Sequence, residues 1–281
     1  LYKLFDYECL DITAKFEIMN ISRLLDRKSN GFSILENNKV FWRTNSLLTY
    51  KRCPLYFKLF IMDQKEQKLD LPRNIALAHG IIIHRAVEFL LRSYLFGLNG
   101  RTNQLLLEVI DNTIAEILEE TNNIENKKLF KDSIEYGYLA KKAFQAILSF
   151  NQKIIEVESV YLFENDKFIL KLTPDLILSN AIVDLKTTSK PLSNLYIYDD
   201  YNWQLSIYTS LFDVEKSYFI YVSFADMDVR IVNNTEQKSK TEVLETINEL
   251  TDKVLRSEYE PRKNPLCRFC KYQSKCSLFN K

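Results

Sequence analysis

The sequence predicts a mixed α/β protein, a central mixed sheet flanked by helices, and three observations carry that expectation. Apolar residues recur at helical spacing from about Asn74 to Phe96, and again over about 103–121 and 127–151. Short runs rich in β-branched and aromatic residues then follow one another between Ile154 and Thr187. Beyond them a helical stretch, two more strands and a last helix alternate, the order expected when helices pack on a sheet.

Taken in order, residues 1–40 are mixed in character with a polar break at Arg27–Gly31, and 1–45 reads as an N-terminal appendage to a main domain over 46–281. The chain opens on Leu1 rather than Met, which leaves room for an upstream piece. A helix is expected from Ser46 to about Met62, interrupted at Cys53-Pro54 because proline cannot donate inside a helix. Strands are expected at Ile154–Phe163, Lys167–Leu172, Asp175–Leu178 and Ala181–Thr187, with Glu164-Asn165-Asp166 as a turn. Helix returns near Tyr201–Leu211, strands near Ser217–Phe224 and Val229–Val232, and a last helix near Glu236–Ser257. The tail from Tyr259 is loop-like and holds three of the five cysteines.

Composition excludes several classes. With 281 residues, 46% hydrophobic and 27% charged, the chain is a soluble globular type with enough length for a real core. Its net charge of +1 means that any nucleic-acid surface must be a local patch. No apolar run approaches a membrane span, and no secretory signal opens the sequence. None of the five glycines is followed by lysine, and no GxGxxG occurs, so neither an ATP-driven motor nor a dinucleotide enzyme is expected. There are no repeats or low-complexity tracts.

The stretch TPDLILSNAIVDLKTT, residues 173–188, carries the chemistry. If Ser179-Asn180 is a two-residue turn, Leu178 faces Ala181, and counting outward sets Asp175 opposite Asp184. Like charges directly opposite are destabilising unless one is protonated or a cation lies between them. Lys186 emerges on the same face as Asp184. Two carboxylates suit a hard divalent metal, and a lysine beside it suits phosphodiester chemistry, either stabilising phosphate charge or helping to deprotonate water. An Asp-x-Lys triplet alone fits equally a surface hairpin whose acids pair with lysines.

The cysteines form a second constellation. Cys267, Cys270 and Cys276 give C-x2-C-x5-C, close spacing that suits a metal site better than disulfides. Zinc or a cubane cluster needs four thiolates, so Cys9 or Cys53 must supply the fourth. The two histidines, His79 and His84, lie five apart on different helix faces and are not a metal pair.

Pro174-Asp175 followed by Asp184-Leu185-Lys186 resembles the PD-(D/E)XK nuclease signature. Gly80-x-x-x-His84 upstream and Gln204-x-x-x-Tyr208 downstream resemble its RecB-like branch. That resemblance implies a restriction-endonuclease-like sheet, with His84, Asp175, Asp184 and the Leu185 carbonyl holding Mg²⁺ or Mn²⁺. It makes Lys186 catalytic, Glu158 a supporting acid, and Gln204 and Tyr208 contacts to the DNA strand or to the lysine and metal-bound water; His79 is left to packing. The chain departs from the family at Leu172, where a glycine is common. Thr49-Tyr50-Lys-Arg-Cys53-Pro54 is similar to the opening of the iron–sulfur members, such as the AddB nuclease domain and the CRISPR-adaptation nucleases. This implies a 4Fe–4S cluster on Cys53, Cys267, Cys270 and Cys276, tying the N- and C-terminal parts together, with Cys9 a free buried thiol.

Eight Lys or Arg lie between Lys253 and Lys281 against Glu258 and Glu260, and Lys51-Arg52 adjoins Cys53, so the cluster region should be basic. Tyr50, Tyr56, Phe57, Phe269 and Tyr272 could stack on bases, although packing around the cluster accounts for most of them equally well. The function implied is a metal-dependent exonuclease on single-stranded DNA or DNA ends, in recombination, repair, viral replication or CRISPR adaptation. A helicase, an integrase or a recombination protein is the implied partner, and the cytoplasm or a host-cell interior the implied location. The alternative is a DNA-end-binding scaffold with a vestigial site.

Overall fold

The strand-forming runs sort into two sheets where the sequence suggested one. The computed structural model describes residues 2–3, 32–35, 38–63, 71–98, 102–121 and 124–279. One sheet has the order β1-β5-β6-β3-β2, built from Tyr2–Lys3 (β1), Phe32–Ile34 (β2), Val40–Arg43 (β3), Tyr161–Glu164 (β5) and Phe168–Leu172 (β6). The other has the order β10-β9-β8-β7-β4, built from Ile154–Val157 (β4), Leu176–Leu178 (β7), Ala181–Thr188 (β8), Lys216–Ser223 (β9) and Asp228–Asn233 (β10). Both are mixed: β3 runs parallel to β6, and β8 parallel to β9.

The helices are Thr44–Arg52 (α1), Pro54–Phe57 (α2), Leu71–Leu95 (α3), Thr102–Glu120 (α4), Ser133–Leu148 (α5), Asp199–Phe212 (α6) and Lys240–Leu255 (α7). Side chains alternate across β7 and β8 as the pleat requires. Leu176, Leu178, Ala181, Val183 and Leu185 join a core with α3, α4 and α5, whereas Ile177 and Ile182 join one shared with α1, α6, α7 and the first sheet. Burial on both faces is why these strands read as unbroken apolar runs. No helix among the described residues is long and apolar enough to cross a membrane.

The hairpin register follows the sequence argument: Leu176 pairs with Val183, Ile177 with Ile182 and Leu178 with Ala181. The expected strand Ile154–Phe163, by contrast, is two strands in different sheets, broken at Glu158. Glu158 has φ of 50°, a left-handed conformation uncommon outside glycine, asparagine and aspartate, so composition gave no hint of the break. The third and last long helices start later than expected, at Ser133 and Lys240, because Asp132 and Ser239 cap them by accepting the Ile134 and Glu242 N–H groups. Val40–Arg43 lies on the appendage side of the boundary expected at residue 46, with Val40, Phe41 and Trp42 fully buried. Residues 4–31, including Cys9 and the polar break, lie outside the described residues.

Candidate active site

Two helices deliver side chains to the C-terminal half of β8. Gly80 lets α3 approach closely, since a Cβ there would lie 3.2 Å from Thr187 Oγ1. One turn later His84 reaches β8 two residues back, its Nε2 lying 3.1 Å from the Leu185 carbonyl oxygen. Its Nδ1 is 3.3 Å from Glu158 Oε1 and 3.4 Å from Asp175 Oδ1. Arg92, two turns further on, fixes α3 to the end of β4 by donating to the Val157 carbonyl at 3.0 Å. Gly80→Val should therefore push α3 off β8 and lower Tm by several degrees; an unchanged Tm would show that the helix tolerates a side chain at this contact.

The acids come from the crossings between sheets. Glu158 lies between β4 and β5, Asp175 between β6 and β7, and the Glu158 N–H donates to the Asp175 carbonyl at 2.9 Å. Asp175 Oδ2 in turn accepts the Leu185 N–H at 2.6 Å. Ligand atoms of His84, Glu158 and Asp175 lie within 4.8 Å of one another. Asp184 is outside that trio and pairs with Lys186, whose Nζ is 2.5 Å from Asp184 Oδ2. Asp184 Oδ2 is buried, and this ammonium is the charge it faces.

α6 completes the lysine's surroundings. Lys186 Nζ donates to Gln204 Oε1 at 3.0 Å, Gln204 Nε2 donates to the Tyr208 hydroxyl at 3.3 Å, and that hydroxyl donates to the Thr173 carbonyl at 3.2 Å. Tyr208 is 2% exposed, so in this arrangement the Gln-x-x-x-Tyr pair acts on the lysine. Tyr201 was not anticipated: Lys186 Nζ stands 4.8 Å from its ring centroid. Its position one turn before Gln204 was the available signal.

Charge is shared unevenly. Burial raises the Asp184 carboxyl to about 6, Lys186 pulling it down and Asp175 adding to the rise. Burial also pushes Asp175 upward, but His84 and Lys186 outweigh it and hold this carboxyl below its ordinary value. Burial opposes a charge on His84, yet Asp175 and Glu158 keep the imidazole well above its usual pKa. Burial likewise opposes the Lys186 charge, and Asp184 and Asp175 reverse the effect. The site thus pairs two cations with buried carboxylates. One imidazole and several carboxylate oxygens make a donor set that fits an oxygen-preferring divalent ion.

A second cluster of side chains lies just past the C-terminal end of α1, at Cys53. Cys53, Cys267, Cys270 and Cys276 are free thiols lining one cavity of about 210 Å³. Backbone N–H groups of Tyr56 and Asn264 point at the Cys53 and Cys267 sulfurs, at 3.5 and 3.3 Å. Arg262 donates to the Lys51 carbonyl at 2.5 Å and Tyr272 to the Leu59 carbonyl at 3.1 Å, which ties the tail to the Cys53 segment. Of the proposed stacking rings, Tyr50 and Phe57 are fully buried beside Trp42, Tyr56 and Tyr272 line the thiol cavity, and Phe269 is exposed. His79 packs among Phe130, Tyr136 and Phe224.

Two acids and a lysine near one strand, faced by an imidazole, are groups that could hold a divalent ion with an ammonium beside it. The profile of the PD-(D/E)XK nuclease superfamily matches residues 44–277, and the chain belongs to that superfamily. It is a nuclease by family, with DNA as the implied substrate, and such nucleases use divalent metals such as Mg²⁺. Among solved structures it is similar to a proposed exonuclease from Eubacterium rectale, 14% identical over 82% of this chain and 86% of that one, with a TM-score of 0.48. It is also similar to an alkaline exonuclease from Laribacter hongkongensis, 10% identical over 63% and 86% of the two chains, with a TM-score of 0.32. No curated protein matches.

Proposed function

We propose that this chain is an iron–sulfur member of the RecB-like branch, a Mg²⁺- or Mn²⁺-dependent deoxyribonuclease that degrades single-stranded DNA or DNA ends as an exonuclease. The observation that carries the nuclease part is the meeting of His84, Glu158, Asp175 and the Leu185 carbonyl at β8, with the Asp184–Lys186 pair on the same strand. A divalent ion bound there would polarise the phosphodiester and acidify an attacking water. His84, Asp175, Asp184 and the Leu185 carbonyl would hold it, with Glu158 in support. Lys186 is kept charged by Asp184 and Asp175, so it acts as a donor to phosphate oxygens and to the water, not as a base. Gln204 and Tyr201 fix where its ammonium points.

The iron–sulfur part rests on the four thiols around one cavity. Here the four thiols are among the residues lining a cavity of about 210 Å³, and two of them accept backbone N–H groups, which supports a shared metal centre, with iron and zinc to be separated by analysis.

The test has two arms. Anaerobically purified protein should be brown and contain iron and sulfide; a colourless protein with one zinc would remove the cluster. End-labelled linear and circular single strands incubated with Mg²⁺ should show loss of the linear form alone, and equal cleavage of circles would make the enzyme an endonuclease. Because a bound ion must displace the proton held by His84, metal binding near neutral pH is expected to release about one proton and to tighten as pH rises towards the His84 pKa. Calorimetry in two buffers of different ionisation enthalpy measures this, and identical heats would exclude His84 as a ligand.

A further inference from the structure

A larger cavity, of about 470 Å³, lies between the cysteine tail and the start of α6, lined by Lys51, Arg52, Tyr196, Tyr198, Tyr201 and Arg262 among others. Its volume is that of a small-molecule or nucleotide site. Three of its rings form a ladder: Tyr196 and Tyr198 stand edge to face with centroids 5.1 Å apart, and Tyr198 stands 5.6 Å from Tyr201. The inner rung, Tyr201, is the ring beside the Lys186 ammonium. The outer rings are 63% and 36% exposed, so the ladder runs from solvent to the catalytic lysine.

We propose that this cavity is the entry groove for the substrate strand, a single-stranded DNA segment whose bases stack on Tyr196 and Tyr198 while its backbone passes Lys51, Arg52 and Arg262. The inference rests on the nuclease reading of the adjoining site. Bases in a duplex have both faces covered by their neighbours, so only an unstacked strand offers faces to these tyrosines. The charges support a groove led by stacking. Lys51 pairs with Asp199 at 2.9 Å and Arg52 with Asp200 at 2.7 Å, the two acids occupying the first turn of α6 where the helix dipole favours them. Three cations thus face two carboxylates, and only a small electrostatic surplus is left for phosphates. Binding should accordingly depend on salt less steeply than in proteins that neutralise many phosphates.

The experiment is fluorescence anisotropy of a labelled twelve-nucleotide oligothymidylate with Ca²⁺ in place of Mg²⁺. It compares the wild-type chain with the Tyr196→Ala/Tyr198→Ala and Tyr196→Phe/Tyr198→Phe double variants. The alanine pair is expected to weaken binding by about ten-fold or more, and the phenylalanine pair to bind as the wild type does. With Mg²⁺, kcat/KM on the oligonucleotide should fall by a similar factor through KM, and on bis(p-nitrophenyl) phosphate, too small to reach the groove, by far less. Wild-type affinity in an alanine pair that melts at the wild-type temperature overturns the groove. So does a phenylalanine pair as weak as the alanine pair. A wild-type chain inactive on both substrates removes the nuclease reading instead, and the anisotropy arm still decides the groove.

Discussion

Asp184→Asn is expected to reduce metal-dependent cleavage by about a thousand-fold with the fold intact. Asparagine keeps the shape of a side chain that is 1% exposed, but removes the charge that faces Lys186 at 2.5 Å. The proposed ion loses a ligand, and the lysine loses the partner that keeps it protonated in a buried site. Removal of one preorganised electrostatic contact typically costs two to three orders of magnitude in rate, and here two functions fail together. Asp184→Ala should do more harm, because it also removes the oxygen that an asparagine would still offer the buried ammonium and leaves a gap in its place. The asparagine variant is therefore the cleaner probe. Oligonucleotide binding and circular dichroism should stay at wild-type levels, and undiminished Mg²⁺-dependent cleavage would falsify the catalytic assignment.

Cys53→Ser is expected to have the largest effect on stability. A cluster joining Cys53 to Cys267, Cys270 and Cys276 closes a loop of about 210 residues, and a cross-link of that span restricts the unfolded chain by about 5 kcal/mol in the chain-entropy view. For a domain of this size that corresponds to a fall in Tm of about 10 °C or more. The visible absorption of the anaerobic protein should vanish along with it. Cys9→Ser is the control and should change neither. A Cys53→Ser protein that keeps its colour and Tm would mean that the tail is held only by contacts such as Arg262 to the Lys51 carbonyl and Tyr272 to the Leu59 carbonyl.

Much of this arrangement was legible because it rests on short-range geometry. The turn at Ser179-Asn180 fixes the pairing of Leu178 with Ala181, and the pleat then carries Lys186 to the face of Asp184. The Gly80-x-x-x-His84 spacing is one helical turn, and the glycine lies where α3 meets Thr187. What composition could not reveal depends on contacts distant in sequence. The division into two sheets turns on a left-handed Glu158, a residue type that does not advertise such a backbone. Nor could composition reveal that burial raises the Asp184 carboxyl, with Lys186 set close against it. The stacking rings nominated from the sequence were those nearest the cysteines, and Tyr50 and Phe57 proved to be core. Leu172, where the resemblance led one to expect glycine, is fully buried as the last residue of β6 and pairs with Tyr161, so a side chain is accommodated there.

Glu158 and Asp175 stand at two places where the chain steps directly from one sheet to the other, and their backbones are hydrogen-bonded together there. The acids of the site are therefore parts of a joint. If one sheet slides or twists against the other, the separation of these two carboxylates changes with no intervening lever, and so does the gap that His84 spans from α3. Ion occupancy and the alignment of the two halves then become a single variable. Substitutions in the shared core, far from any reacting atom, would be felt first as altered metal affinity.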